Sequence, residues 1–286
     1  MIRIDGLIGK TTFVTGSCKN AGKTTLLVYL LRLLRERTTV CYTSAGLDGE
    51  SGCAVTGGEK PAVLCRPGDM VVTSGPALAG STAGFEILEV FPWRSALGRT
   101  VLARVASAGS VELVGPETNS RLTTVLCAAR EACGDLTVLV DGAADRQTQI
   151  SSVPEAGYVH TVLLHPLNFD KTVKKIELLG KLDGLPLWTG EDGKTCMLDG
   201  ALTTRTVFPG DTENLVVRDH GKIFLAGREL EKLRSRIRVF VLHRFPMRFC
   251  MVRCRDLDGL KTLEILRERV PSVHFEENPY SDRATA

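Results

Sequence analysis

No apolar run in the 286-residue sequence is long enough to cross a membrane. The longest, LLVYLLRLL at Leu26–Leu34, carries Arg32 and falls well short of the ~20 residues that a spanning helix needs. Charges interrupt the opening MIRIDGLIGK at once, so no hydrophobic region of a secretory signal can be drawn there, and a cytoplasmic protein is expected. An excess of one charge is also lacking: 36 Lys and Arg against 33 Asp and Glu leave a formal +3. That balance offers no footprint for neutralising a phosphate backbone, so neither nucleic acid nor membrane is an expected partner. The nine cysteines are an odd number and contain no Cys-x-x-Cys, which argues against a disulfide framework or a zinc ribbon. Cys250 and Cys254 stand four apart with no histidine to complete a metal site. Repeats and low-complexity tracts are absent, and 43% apolar with 24% charged residues is an ordinary globular composition.

What is present is alternation. TTFVT, a glycine-containing loop, a helix predicted over 23–37 and the strand TTVCYTS make a βαβ unit, with apolar positions 26, 27, 30, 31, 33 and 34 at helical spacing. From 61 to 116 the pattern turns β-rich (AVLC, MVVTS, FEILEV, TVLARVA, VELVG), read as an insertion against the main sheet. A helix over 118–133 follows. LTVLVD then reads as a buried parallel strand, as does HTVLL at 160–164, and a helix over 170–182 has Asp170 as its expected N-cap. Beyond it the pattern gives a strand at 237–243, a helix at 257–269 and the strand VHFEE. The expected fold is α/β: a P-loop NTPase with a mostly parallel, doubly wound sheet. Residues 1–235 would form the nucleotide-binding domain and 236–286 a small β/α segment packed on it.

The segment TGSCKNAGKTT at 15–25 carries the chemistry. A phosphate loop needs glycines so that backbone N–H groups can point inward, a lysine for the β and γ phosphates, and a hydroxyl for Mg²⁺. Gly16, Ser17, Cys18, Lys19, Asn20, Ala21, Gly22, Lys23, Thr24 and Thr25 would bind ATP, with Lys23 catalytic and Thr24 a Mg²⁺ ligand. The loop follows a strand and opens a helix, where the dipole favours phosphate charge. Asp141 ends an apolar strand and is the second expected Mg²⁺ ligand and catalytic residue. Asp48, in TSAGLDGE after the second strand, is the third. His160, His165, the pair Asp145 and Arg146, and Asn168 (by position, against the base) are weaker candidates. Lys174, Lys175 and Lys181 read as the solvent face of a helix.

Five residues separate Gly16 from Gly22 where the common motif has four. In this longer spacing FVTGSCKNAGKTT resembles the dethiobiotin synthetases and their relatives. There a Glu-Gly-Ala segment matches DGAADR, and related ATPases keep an acid, here Asp48, that senses Mg²⁺ or the attacking water. Lys19 stands four places before Lys23, not the five of the signature lysine in nitrogenase-iron-protein and MinD-type ATPases. Read together, VTGSCKNAGKTT, TSAGLDGE, GRTVLARVASAGSVELVGP and LVDGAADRQTQISSVPEAGYV are similar to the ATP-binding subunit of reactivating factors for adenosylcobalamin-dependent aminomutases, of the lysine 5,6-aminomutase and ornithine aminomutase type. The similarity covers about the first 160 residues; LLHPLNFDKT departs from the family's Thr-Gly-Ala-like segment. It implies a reactivase, or chaperone, subunit that hydrolyses ATP with Mg²⁺ and expels damaged cobalamin from a stalled mutase, alongside a second subunit. It leaves the oligomeric state open. The segment 61–116 would face that partner. Two other functions fit the same loop: an ATP-dependent ligase or kinase of the dethiobiotin synthetase type, and a nucleotide-sensing regulator with little hydrolysis.

Overall fold

The computed structural model describes residues 4–18, 21–45, 63–142 and 150–279. Lys19, Asn20, Asp48, Asp145 and Arg146 lie outside the described residues. The chain is α/β, with a large, mostly parallel sheet and helices. It divides into two compact units, Met1–Thr161 and Val162–Ala286, rather than at 235/236.

In the first unit, β1 (Thr11–Gly16) leads through the loop to α1 (Lys23–Leu34) and β2 (Thr39–Ser44). Then come β3 (Val63–Cys65), β4 (Met70–Ser74), α2 (Gly75–Ala79), β5 (Gly84–Ser95), β6 (Gly98–Ser107), β7 (Gly109–Val111), α3 (Asn119–Ala132), β8 (Leu136–Asp141) and β9 (Gly157–Leu164), in which the unit ends. The strand order is β9-β1-β8-β2-β4-β6-β5. The strands from β9 to β4 run parallel, and β6 is antiparallel to both β4 and β5. β1 (TTFVTG) and β8 (LTVLVD) show no alternation of burial because both faces are covered; every residue of β1 is buried. Leu26, Leu27, Leu30, Leu31 and Leu34 form the buried stripe of α1, each stabilising by about 2 kcal/mol when removed from water.

α1 stops at Leu34, short of the expected position 37. The N–H groups of Arg37 and Thr38 both turn back to the Leu34 carbonyl (2.9 and 3.0 Å), tightening the last turn. VELVG is a strand only at its start. β7 ends at Val111, because the Glu112 carbonyl and Val114 N–H bond the Thr73 hydroxyl (2.7 and 3.0 Å) instead of a ladder.

The second unit holds α4 (Phe169–Asp183), β10 (Thr195–Leu198), β11 (Asn214–Asp219), α5 (Gly227–Arg234), β12 (Arg238–His243), β13 (Met247–Cys254), α6 (Gly259–Arg269) and β14 (Phe275–Glu277). β10-β11-β12 form a parallel sheet, and β13 pairs with β14 in parallel. Asn168, not Asp170, occupies the N-cap of α4; Asp170 sits in the first turn, where its charge suits the helix dipole. Lys174 and Lys181 are exposed as expected, and Lys181 pairs with Glu231 on α5. No group of three or more His, Cys, Asp or Glu suited to a metal occurs among the described residues.

Asp219 and His220, at the carboxyl end of β11, are 0% and 1% exposed. The His220 ring lies on Phe245, with centroids 3.8 Å apart, and Arg218 Nε donates to Asp219 Oδ2 at 3.1 Å. Burial pushes the His220 pKa down to about 4; Asp219 pulls it up and Arg244 pushes it further down. The folded value lies below the unfolded value of about 6.5, so the unfolded chain binds the extra proton between the two. The stability is therefore present above about pH 6.5 and drains away as pH falls toward 4, by roughly 2–3 kcal/mol at pH 4.5. Urea titrations at pH 7 and 4.5 should show this loss reduced in His220→Leu; an unchanged pH dependence would place the acid sensitivity elsewhere.

Candidate functional site

The site is built at the carboxyl ends of β1, β8 and β2, the edge at which open α/β sheets bind ligands. Gly16 ends β1 in contact with its surroundings: a Cβ there would come within 2.7 Å of Thr161 Oγ1 and 3.0 Å of Lys23 Cγ. Gly22 opens α1 at φ 94°, a left-handed conformation that glycine adopts without cost. Between them, the Ala21 N–H reaches the Cys18 carbonyl at 3.4 Å and the Ser17 hydroxyl approaches Cys18 Sγ at 3.7 Å.

The start of α1 is unusual among the described helices. α2, α3 and α6 are capped by the side chains of Ser74, Thr118 and Asp258, and α4 and α5 carry an acid in the first turn. α1 has neither, so among the described residues no side chain caps the N–H groups of its first turn, and Lys23 brings a cation there. A cation at a helix N-terminus has the wrong sign, at a cost of roughly 0.3–1 kcal/mol. Uncapped donors with a lysine beside them are what an anion requires.

Asp141 ends β8, adjacent to β1, with Val14 opposite it in register. Its carboxylate Oδ2 accepts from Thr24 Oγ1 at 3.3 Å across 117 residues of sequence. The neighbouring backbone is tied on both sides: Gly142 N–H donates to the Val14 carbonyl (2.9 Å) and Ala45 N–H to the Asp141 carbonyl (2.8 Å). Beside them Ser44 Oγ accepts from Gly115 N–H at 2.7 Å and donates to the Leu113 carbonyl at 3.3 Å.

Comparison with protein-family models, curated proteins and solved structures gives no match. The geometry therefore stands on its own. It brings Gly16, Ser17, Cys18, Ala21, Gly22, Lys23, Thr24 and Thr25 into one strand-to-helix loop, with Asp141 against Thr24. Lys19, Asn20 and Asp48 lie outside the described residues. Asn168 is committed to its own turn: its side chain donates to the Leu163 carbonyl (2.9 Å) and accepts from His165 N–H (3.0 Å). Thr15, Thr161 and Ser44 were not foreseen. Their signal was the hydroxyl itself, since a hydroxyl in a buried strand needs a partner.

Proposed function

We propose that the chain is a P-loop NTPase that binds and hydrolyses Mg-ATP. We propose further that it acts as the ATP-binding subunit of a reactivating factor for a cobalamin-dependent aminomutase, with a second subunit. The Thr24–Asp141 contact at 3.3 Å carries the nucleotide part, because it joins the hydroxyl and the carboxylate that a phosphate-bound Mg²⁺ needs. Both are hard oxygen donors and they sit beside uncapped helix N–H groups, so the residues fit the ion and the anion together. Thr24 and Asp141 would hold Mg²⁺, and Lys23 would reach the β and γ phosphates. Bound Mg-ATP supplies a terminal phosphoryl group that is lost on hydrolysis, so the loop has two states to distinguish. The chain's own residues orient the donors: the β1–β8 ladder sets Asp141 opposite Val14, two residues before Gly16, and Gly22 aims the first turn of α1 at the loop.

Two observations support a partner-facing role for 61–116. The large apolar side chains described as exposed in the first unit, Leu64, Ile87 and Val90, all fall in it. The same segment is hydrogen-bonded to the edge that holds Asp141: Ser44 and Thr73 tie 112–115 to the carboxyl ends of β2 and β4. A switch at the loop moves the mutase only if the two nucleotide states differ in affinity for it.

The test is Mg-ATP hydrolysis by the purified chain, alone and with a lysine or ornithine aminomutase stalled on damaged cobalamin. Stimulated turnover with recovered mutase activity is expected. Turnover that instead depends on a metabolite would move the assignment to a ligase or kinase. Asp141→Asn keeps the shape of the carboxylate but not its charge, so hydrolysis should fall on the order of a hundredfold while nucleotide affinity falls far less. Unchanged hydrolysis would refute the Mg²⁺ role of Asp141.

A further inference from the structure

The last residues of β1 are clamped to β9 by buried polar groups. Thr15 lies opposite His160 and Gly16 opposite Thr161. Thr15 Oγ1 donates to the Val159 carbonyl at 3.1 Å and lies 2.9 Å from His160 Nδ1. Thr161 Oγ1 donates to the Thr15 carbonyl at 3.1 Å, and Ser17 N–H donates to the Thr161 carbonyl at 2.9 Å. Thr15, His160 and Thr161 are 5%, 4% and 1% exposed. An apolar strand would hold β1 to the sheet equally well, through the backbone ladder alone. Three polar side chains here have to be matched at a cost that a purely structural strand avoids.

The 2.9 Å contact joins His160 Nδ1 to the Thr15 hydroxyl in a buried hydrogen bond that the ring can make as donor or as acceptor, according to its tautomer. The contact aims the ring at the residue immediately before Gly16. Tyr158 holds the ring edge-on, with centroids 6.5 Å apart and planes at 84°. We infer that His160 is a positioning residue of the phosphate loop: through the hydrogen bond between Nδ1 and the Thr15 hydroxyl it sets the direction in which the chain leaves β1, and so where the Gly16–Cys18 backbone presents its donors. Gly16 leaves no slack for an alternative path, because space for even a methyl group is already filled by Thr161 and Lys23. The inference rests on the nucleotide reading of the loop.

The test uses the full chain, with Mg-ADP and a non-hydrolysable Mg-ATP analogue as probes in calorimetry, and a thermal melt of each variant. His160→Leu should weaken both nucleotides at least tenfold. His160→Asn, whose side-chain amide can donate or accept in place of Nδ1, should bind within threefold of the parent. Thr15→Val, which exchanges the hydroxyl for a methyl of similar size, should lose as much as His160→Leu, and the double variant no more than either. If His160→Leu does not fold, Thr15→Val carries the same expectation. A folded His160→Leu or Thr15→Val that binds within threefold of the parent overturns the inference, as do additive losses in the double variant or failure of asparagine to rescue. If the parent itself binds no nucleotide, the reading beneath the inference falls; if the parent binds and the variants match it, the inference alone falls.

Discussion

Lys23→Ala is expected to abolish most nucleotide affinity and, without nucleotide, to leave the protein slightly more stable than the parent. The two effects have one origin. Lys23 is the first residue of α1, where its charge opposes the positive end of the helix dipole and no acidic neighbour in the first turn offsets it. Alanine removes that repulsion and is a better helix former, which together contribute about 0.5–1 kcal/mol. With phosphate present the balance reverses, because a charge-assisted contact to the anion is worth about 2–3 kcal/mol. Affinity should therefore fall roughly 30- to 150-fold. Calorimetry with a non-hydrolysable Mg-ATP analogue and a melt without ligand measure both. A variant that binds within threefold of the parent would remove the basis for the nucleotide site. A variant that binds poorly because it is unfolded would melt lower, not higher.

That reversal explains which parts of the site could be read from the amino acids. A glycine, a lysine and a threonine between an apolar strand and an amphipathic stripe are a local pattern, and the structure places them as local elements: β1, the loop and α1. Asp141 was legible because an apolar run ending in an acid has one natural place, the carboxyl edge of a buried strand. Thr24 was expected near it, since both were assigned to one Mg²⁺; the direct Thr24–Asp141 hydrogen bond was not legible, because it depends on β8 lying beside β1, a pairing of segments more than a hundred residues apart. The same holds for Thr15 and His160, which face each other only because β9 takes the other side of β1. In the second unit four elements escaped notice, β10, β11, α5 and β13. β10 is four residues long and only partly buried, and β13 (MRFCMVRC) sets arginines within its apolar run. β11 opens on Asn214, a poor strand former that is buried there because its amide bonds the Glu191 and Asp192 carbonyls. A period-of-two signal cannot be seen in a strand whose polar members are held by partners far away in sequence.

The largest stability effect is expected at the opposite edge of the first unit's sheet. Asp69→Ala should cost about 3–5 kcal/mol, lowering the melting temperature of a unit of this size by roughly 6–20 °C. Asp69 is 4% exposed at the amino end of β4. Its two oxygens accept from Arg35 Nε (3.1 Å), Arg35 Nη2 (2.6 Å), the Tyr42 hydroxyl (3.0 Å) and Arg66 N–H (2.9 Å). Burial disfavours the Arg35 charge, but the hydrogen bond and charge of Asp69 outweigh it and hold the guanidinium pKa above its ordinary value. Burial, and then the charge of Asp69, push the Tyr42 phenol up. Removing the carboxylate therefore strands a buried cation, a phenol hydroxyl and a backbone N–H together, and such strandings are dearer than the loss of the bonds themselves. A cleft of about 330 Å³, lined by Arg35, Glu36, Thr38, Arg66 and Asp69 among others, gives water a way to the abandoned guanidinium. The loss should thus fall nearer 3 than 5 kcal/mol. Asp69→Asn, which keeps an acceptor but not the charge, should lie in between. Asp69 and Arg35 belong to the amino edge of the sheet, whereas Lys23, Thr24 and Asp141 belong to the carboxyl edge, so the folded fraction of either variant should bind nucleotide like the parent. Urea titration and calorimetry separate the two expectations. A loss under about 1 kcal/mol would mean that Arg35 and Asp69 behave as a surface pair. A loss of affinity in the folded variant would mean that the two edges of the sheet are mechanically coupled.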